Sequence, residues 1–325
     1  MAEFFEELKQ KLSGLEKNIS LKEYSTFRIG GLAKYFLIAP NEADLKIAIQ
    51  TALDFKIDFL ILGGGSNTLI STKGFDGLII IYKNSQRPED FFPVQSNGQY
   101  FVEAMADWPL SFLINQTLES GLSGMEWGIG IPGTVGGAIN GNAGAFGKSI
   151  GESIEGVQVL EIKNNIFLEK FIDFKDCEFG YRSSIFKKNK NLIILSAKIK
   201  LEKKDSQKIK EKITENLAKR KKHPQGFSLG SVFKNYEGLI NSEVLKKYPE
   251  LDSFPEKIIP AGYLIDQCGL RGEEIGGAII SNEHANFILN KNNATSEDVL
   301  QLINLAKKEV KKKFKINLEE EIKII

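Results

Sequence analysis

Cysteine and histidine are scarce in this chain. Among its 325 residues there are two cysteines, Cys177 and Cys268, and two histidines, His223 and His284. Two histidines exclude a His-rich metal site. The cysteines lie far apart and lack metal-ligand spacing, which predicts reduced thiols, no metal, and no disulfide in a cytosolic setting. An excess of one charge is also missing, since 43 Lys+Arg stand against 42 Asp+Glu. That balance argues against the basic field through which proteins bind nucleic acid or anionic membranes. No apolar run approaches the roughly 18 residues that a membrane helix needs. The opening Met1-Ala2-Glu3-Phe4-Phe5 lacks the basic n-region of a signal peptide. Together these absences predict a cytoplasmic protein without a nucleic-acid or membrane partner. No interface stripe is evident, so a monomer is expected.

The length predicts two or three domains with sizeable cores. Three regions are read, 1–84, 85–203 and 204–325. In the first, Glu3 to Leu12 reads as a peripheral amphipathic helix. Asn41 opens a second helix with Leu45, Ala48, Ile49 and Ala52 on one face. Ile57 to Leu62 reads as a buried strand, and Gly77 to Ile81 as another. The middle region holds strands at Tyr100–Ala104, Val157–Ile162 and Leu192–Leu201, a helix at Trp108–Ser120, and a glycine-dense stretch from Gly128 to Gly147. The charged stretch Lys203–Lys222 permits a solvated helix. In the last region Thr295-Ser296-Glu297-Asp298 is a capping box. It precedes a helix with Val299, Leu302, Ile303, Ala306 and Val310 on one face. Phe314, Ile316 and Leu318 alternate as a closing strand. This mixture predicts an α+β protein of several domains.

Two glycine segments carry the first chemical signal. Gly63-Gly64-Gly65-Ser66-Asn67 follows a strand directly. Consecutive glycines let backbone N–H groups face one concavity, a nest for phosphate oxygens. A tight strand exit would use the same residues. The spacing fits neither Gly-x-Gly-x-x-Gly nor the Walker pattern. The second segment runs from Gly130 through Pro132, Gly133, Thr134, Gly136, Gly137 and Ala138 to Asn140. Proline fixes one φ and the glycines release their neighbours, giving a shaped loop that could lie against a flat ring and a phosphate chain.

Together these segments resemble flavoenzymes of the vanillyl-alcohol-oxidase type. Within that group the chain resembles the UDP-N-acetylenolpyruvoylglucosamine reductases (MurB), over Tyr24 to Ile325. Ser25-Thr26-Phe27-Arg28-Ile29-Gly30-Gly31 resembles the family's opening motif. Tyr181-Arg182-Ser183-Ser184-Ile185-Phe186 resembles its arginine motif, and Gly230-Ser231-Val232-Phe233-Lys234-Asn235 its serine motif. Ala261 to Asp266, His284-Ala285-Asn286-Phe287 and Leu318 to Ile322 complete the ordered set. The short spacing between Arg182 and Ser231 resembles the class without an inserted tyrosine-bearing loop. Tyr236 stands where the family usually has proline.

The resemblance implies an FAD-binding fold of the vanillyl-alcohol-oxidase/PCMH type in two subdomains (1–84 and 85–203). To these it adds a C-terminal α+β UDP-sugar-binding domain (204–325). It implies non-covalent FAD, NADPH as cosubstrate, and reduction of UDP-N-acetylglucosamine enolpyruvate. Flavin contacts fall on Gly63, Gly64, Gly65, Ser66, Asn67, Gly133, Thr134, Gly137 and Ala138. Substrate contacts fall on Tyr181, Lys222 and Asn235. Arg220, Lys222 and Lys234 are candidates to meet a diphosphate. Ser231 would donate a proton, while Arg182 and Glu321 would stabilise the carboxylate of the intermediate. The chemistry suits these residue types. Hydride arriving at the terminal alkene carbon drives charge onto the carboxylate, and a guanidinium offers it paired planar donors. The resulting dianion is basic enough to take a proton from a serine hydroxyl. Beside a substrate carboxylate, like-charge repulsion favours Glu321 as a neutral donor. His223 and His284 read as structural, and Cys268 as core. Another FAD-dependent oxidoreductase of this fold, or a catalytically silent flavin- or nucleotide-binding protein, would share the glycine loops.

Overall fold

A computed structural model of the chain describes residues 2–84 and 91–325. The 84/85 boundary abuts residues 85–90, which lie outside the described residues. The chain divides into two units, neither continuous in sequence. One comprises Met1–Ile19, Lys34–Gly64 and Asp76–Lys221; the other comprises Ser20–Ala33, Gly65–Phe75 and Lys222–Ile325.

The first unit has two cores separated by a sheet. Its smaller sheet has the order Glu16–Ser20, Leu32–Ala39, Phe75–Tyr82, Phe59–Ile61, and the last pair is parallel. The helix Glu42–Asp54 starts where expected, because the Asn41 side chain accepts the Asp44 N–H at 2.9 Å. Leu45, Ala48, Ile49 and Ala52 are all buried against Leu78 and Ile80. The N-terminal helix Ala2–Lys11 is not peripheral. Phe5 and Leu8, with Leu12 just past its end, enter the same core. The expected buried strand Ile57–Leu62 shortens to Phe59–Ile61 and is only half-buried; Leu62 alone reaches full burial.

The larger, antiparallel sheet runs Ile166–Asp173, Ile154–Lys163, Leu192–Lys203, Gln99–Met105, Val94–Ser96. Its Leu192–Lys203 strand serves both cores. Ile193 and Leu195 face the core just described, whereas Ala197, Ile199 and Leu201 face the second. Strict alternation would carry Ala197 to the same face as Leu195. The register instead slips there, pairing Val159 with Ile194 and Gln158 with Ser196. Leu195 is thus the extra residue of a bulge, and the bulge switches the face.

In the second unit the helix Ser296–Phe314 buries Val299, Leu302, Ile303, Ala306 and Val310, as its spacing predicts. It packs with Ala261–Gln267 and the small sheet Glu274–Ile275, Ala278–Ile280, Ile288–Asn290. The expected closing strand is not formed. Phe314 ends the helix, Lys315 turns left-handed at φ +57°, and Ile316 and Leu318 are buried without a ladder. The alternating burial holds, and the left-handed residue is what breaks the extended run. Pairing resumes at Lys323–Ile324, parallel to Thr68–Leu69. Among the described residues no helix is long and apolar enough to cross a membrane, and no cluster could hold a metal ion.

The capping box gives a pH signature. The Thr295 hydroxyl accepts the Asp298 N–H at 3.1 Å, and Asp298 Oδ2 accepts the Thr295 N–H at 2.9 Å and the Gly277 N–H at 3.2 Å. The Thr295 amide above all holds the Asp298 carboxyl below the usual carboxylate range, against an opposing effect of burial that the weaker Gly277 bond helps to offset. A depressed carboxylate stabilises the fold above its unfolded value, near pH 3.9, and that contribution fades as pH falls through the folded value. Asp298→Asn should therefore lower the urea midpoint at pH 7, with the gap from wild type closing below about pH 4. A gap that is independent of pH would show that the charge on Asp298 is not what the two amides hold.

Candidate active site

The two glycine segments meet within the first unit. A Cβ on Gly64 would lie 2.6 Å from Gly133 Cα, and one on Gly63 would lie 2.8 Å from Thr134 Oγ1. Gly133 itself has φ +110°. The segment is pinned from behind, because Leu110 N–H donates to Gly133 O at 2.9 Å and Val135 N–H to Trp108 O at 2.9 Å. Gly136 backs onto Ala106, with its N–H on Ala106 O at 2.8 Å. Thr134 caps the helix Val135–Gly141 by accepting the Gly137 N–H at 3.2 Å. Ala138 is buried in the second core, while Gly63, Gly64 and Gly137 are exposed.

That helix ends on Asn142, left-handed at φ +43°, and Asn142 reaches the arginine motif. Its Nδ2 donates to Gly180 O at 2.8 Å, and its Oδ1 accepts the Gly151 N–H at 3.0 Å. Ser184, fully buried, donates to Asn140 O at 2.7 Å. Between these anchors Gly180 and Ser183 exchange two backbone hydrogen bonds, at 3.0 and 3.1 Å. Tyr181 and Arg182 form the tip of that tight turn. Arg182 takes φ +52°, a conformation that costs a side-chain-bearing residue roughly 1–2 kcal/mol. Its Nη2 donates to Gly144 O at 2.9 Å, and its guanidinium lies 5.2 Å from the half-exposed Tyr181 ring.

The second unit brings Ser231 and Glu321 onto adjacent backbone. Ser231 bridges Phe287, and Phe233 bridges Glu320. Val232 N–H donates to Asn286 O at 2.9 Å, and Glu321 N–H to Val232 O at 2.8 Å. Asn286 is buried, and its side chain holds both backbone groups of Phe233, at 2.9 and 2.8 Å. Strand-like pairing thus holds the glutamate. Its neighbours are anchored as well, Glu319 to Lys234 at 2.6 Å and Glu320 to Lys307 at 2.7 Å. Asn67 joins this group, since its Nδ2 donates to Glu321 O at 3.2 Å and its O accepts the Lys323 N–H at 2.9 Å. Gly65 lies beside Tyr24 at φ +58°, where a Cβ would meet Tyr24 O at 1.9 Å. Ser66 follows, half-buried.

Asn235 accepts the Ala261 N–H at 3.2 Å, which caps the helix Ala261–Gln267. Tyr236, in the place of the family's proline, pairs with Ile259. Lys222 is exposed. The histidines pack with Phe287, His284 at 4.9 Å and His223 at 5.4 Å between ring centroids. Burial, then the neighbouring His223, pushes the His284 pKa down. Burial pushes the Cys177 thiol up to about 12 and raises Cys268 as well, and both are free. Cys177 is buried, whereas Cys268 is half-buried. Sequence reasoning missed Asn142, Ser184 and Asn286 as positioning residues. An Asn just past a short glycine-rich helix is the one usable signal, because Asn tolerates the left-handed cap.

The residues of the first unit fit an FAD molecule. Gly63 and Gly64 present bare backbone at the surface, and a Cβ on either would press on the second segment, at the Thr134 hydroxyl or the Gly133 backbone. A planar ring or a phosphate can approach such a surface closely. Comparison with known proteins agrees. A family model described as the UDP-N-acetylenolpyruvoylglucosamine reductase C-terminal domain matches residues 222–325, and one described as an FAD binding domain matches residues 33–164. The UDP-N-acetylenolpyruvoylglucosamine reductase of Prochlorococcus marinus is 38% identical over 95% of this chain and 97% of its own. That of Lachnoclostridium phytofermentans is 35% identical over 95% and 92%. The solved structure of UDP-N-acetylenolpyruvylglucosamine reductase from Thermus caldophilus superposes with a TM-score of 0.73 at 29% identity, covering 95% of this chain and 98% of that one.

Gly64→Ala tests the contact between the segments. The added methyl meets backbone, which cannot rotate away, so a loss of about 1–3 kcal/mol is expected. Thermal unfolding of the flavin-free protein measures it. An unchanged midpoint would mean that the segments part freely.

Proposed function

Because the chain belongs to the UDP-N-acetylenolpyruvoylglucosamine reductase family, we propose that its site reduces UDP-N-acetylglucosamine enolpyruvate to UDP-N-acetylmuramate with NADPH, in peptidoglycan precursor synthesis. The protein is an FAD-dependent oxidoreductase with the FAD-binding fold of the vanillyl-alcohol-oxidase/PCMH type. FAD held non-covalently at the two glycine segments would supply hydride chemistry there, with NADPH as the source of the electrons. The observation that carries the reading is the strained turn of Arg182, tied by Asn142 and Ser184 to the helix that follows the second glycine segment. Backbone strain of this kind persists where a side chain must be held in one place.

In this proposal Gly63, Gly64, Gly65, Ser66, Asn67, Gly133, Thr134, Gly137 and Ala138 hold FAD. Regions 1–84 and 85–203 form its two subdomains, and 204–325 takes the UDP-sugar. Tyr181, Lys222 and Asn235 bind the substrate. Arg182 offers the substrate carboxylate two parallel donors, which strengthen as charge develops on it. Ser231 gives its hydroxyl proton to the carbon next to that carboxylate, and solvent returns the proton to the serine. Glu321, as the neutral acid, donates to the same carboxylate. The enzyme acts as a cytoplasmic monomer.

The test separates the two half-reactions. Anaerobic NADPH should bleach the flavin, and UDP-N-acetylglucosamine enolpyruvate should then restore the oxidised spectrum with one product per flavin. A flavin that stays reduced would overturn the substrate, and rapid reoxidation in air alone would indicate an oxidase. Ser231→Ala should leave bleaching intact and slow the recovery by about 10²–10⁴; equal loss in both halves would remove its role. Arg182→Gly should slow the recovery by about 10²–10³, yet keep the unfolding midpoint or raise it slightly, because glycine takes φ +52° without strain. A large fall in the midpoint would make Arg182 structural.

A further inference from the structure

Two segments of the second unit, Ala261 to Asp266 and His284 to Phe287, meet around one imidazole. Glycine at 262 lets its helix pack onto the His284 ring, since a Cβ there would lie 3.0 Å from Cε1 and 3.4 Å from Nδ1. Asp266, on the same helix, pairs with Arg271, its Oδ2 accepting from Nη2 at 2.9 Å. Arg271 Nη1 in turn donates to Asn282 O at 2.8 Å and to Glu283 O at 3.2 Å. The Ser281 hydroxyl accepts the Glu283 N–H at 3.1 Å, and the Ser281 N–H closes the loop on Phe287 O at 2.9 Å. Within this braced loop His284 Nδ1 accepts the Asn286 N–H at 3.2 Å. A ring nitrogen that accepts cannot also carry a proton, so the imidazole is neutral with its proton on Nε2. The surroundings favour that form. Burial above all, then His223 at 6.1 Å between ring centroids, and Arg271 push the His284 pKa down. Of the other charged groups on these segments, Asp266 is paired with Arg271, and Lys222 and Glu283 are exposed.

We infer that His284 is a positioning residue for Ser231, acting through Asn286 as an uncharged hydrogen-bond acceptor. The inference rests on the proposed function, which gives Ser231 its proton-donor role. Asn286 is buried, and three of its polar groups are committed to the serine segment. Its backbone O accepts the Val232 N–H, and its side chain holds the N–H and the C=O of Phe233. The next residue, Phe287, bridges Ser231 itself. The fourth polar group of Asn286 is its N–H, and His284 Nδ1 is the partner. Protonation would turn that acceptor into a donor facing a donor. The residue that registers the serine segment would then lose one of its four ties. A phenylalanine at 284 would fill similar space, yet it would leave a buried N–H unpaired.

The test follows the return of the oxidised flavin spectrum when reduced holoenzyme meets UDP-N-acetylglucosamine enolpyruvate. The neutral ring is the competent one. The recovery rate should therefore be flat above about pH 6.5, the ordinary histidine value, and fall as pH drops through the lowered value of His284. His284→Phe should slow the recovery about 10-fold at every pH, with bleaching by NADPH at the wild-type rate. His284→Asn should restore most of that loss and remove the acid fall, because an Asn oxygen accepts the N–H two residues on and does not titrate. An acid fall that persists in His284→Asn would overturn the inference. So would His284→Phe recovering at the wild-type rate, or losing both half-reactions equally. Nitrogen NMR of the full chain decides the question should His284→Phe not fold. The chain has two histidines, and the signals missing from His284→Asn identify the one in question. A proton on Nε2 at neutral pH is expected, and one on Nδ1 would overturn the inference. A wild-type flavin that stays reduced with the substrate at every pH would instead overturn the proposed function.

Discussion

Two lengths of backbone approach each other closely, Gly64 on the bare backbone of Gly133 and Gly63 on the Thr134 hydroxyl. Much of the first unit depends on that contact. Ordinary side chains would push the segments apart, because the nearest atoms are backbone or the hydroxyl that caps a helix. The close approach extends inward, where Gly136 backs onto Ala106. It also fixes the starting point of the helix Val135–Gly141. Its first amides are already engaged, Val135 with Trp108 O, Gly136 with Ala106 O, and Gly137 with Thr134 Oγ1. The helix therefore acts as a strut, and the surface left for a ligand is the bare glycine backbone itself.

The strut carries the arginine turn. Asn142 ends the helix in a left-handed conformation and spends its side-chain amide on Gly180 and Gly151. Ser184 adds a buried bond to Asn140. The tip between them holds Arg182 at positive φ, and Gly144 O accepts its guanidinium. The hairpin that begins at Gly144 continues into Phe146, again at positive φ, on which Arg220 lies. Asn142, Phe146 and Arg182 each take a conformation that side chains usually avoid. Such strain is tolerable only because neighbouring bonds over-determine the backbone. Both guanidinium groups are thereby held on one rigid frame.

Where a signal spans a few residues, the sequence was legible. Asn41 and Thr295 cap the helices they announce, and the 3.6-residue spacing of Leu45 to Ala52 and of Val299 to Val310 marks faces that are buried. The serine and glutamate motifs fall on adjacent backbone. What escaped was decided at a distance or by a single backbone angle. Asn142 bonds a residue 38 positions away, and Asn67 one 254 positions away. No local pattern reports either. Phe314, Ile316 and Leu318 are buried as their alternation predicts, yet the strand does not form, because one left-handed lysine interrupts it. The N-terminal helix looked peripheral because its apolar face is short. Its true setting, against Tyr35 and the helix Glu42–Asp54, depends on tertiary packing.

Ser231 is held by a different device from Arg182. The arginine stands on a strained turn, whereas the serine stands on flat backbone between two flanking segments, 286–287 on one side and 319–321 on the other. Asn286 closes this arrangement by bonding both the N–H and the C=O of Phe233. A buried amide that satisfies two backbone groups at once fixes register, since a one-residue slip would leave all four polar groups unpaired in the core. Register is what the proton-donor role proposed for Ser231 requires, because a slip would turn the serine to the opposite face. The same ladder fixes Glu321 through Val232. An electrostatic group can act over a range of distances, but a proton must be delivered along one short line. It is consistent with this that the arginine proposed to bind the carboxylate rests on one turn, while the serine and the glutamate share a ladder braced on both sides.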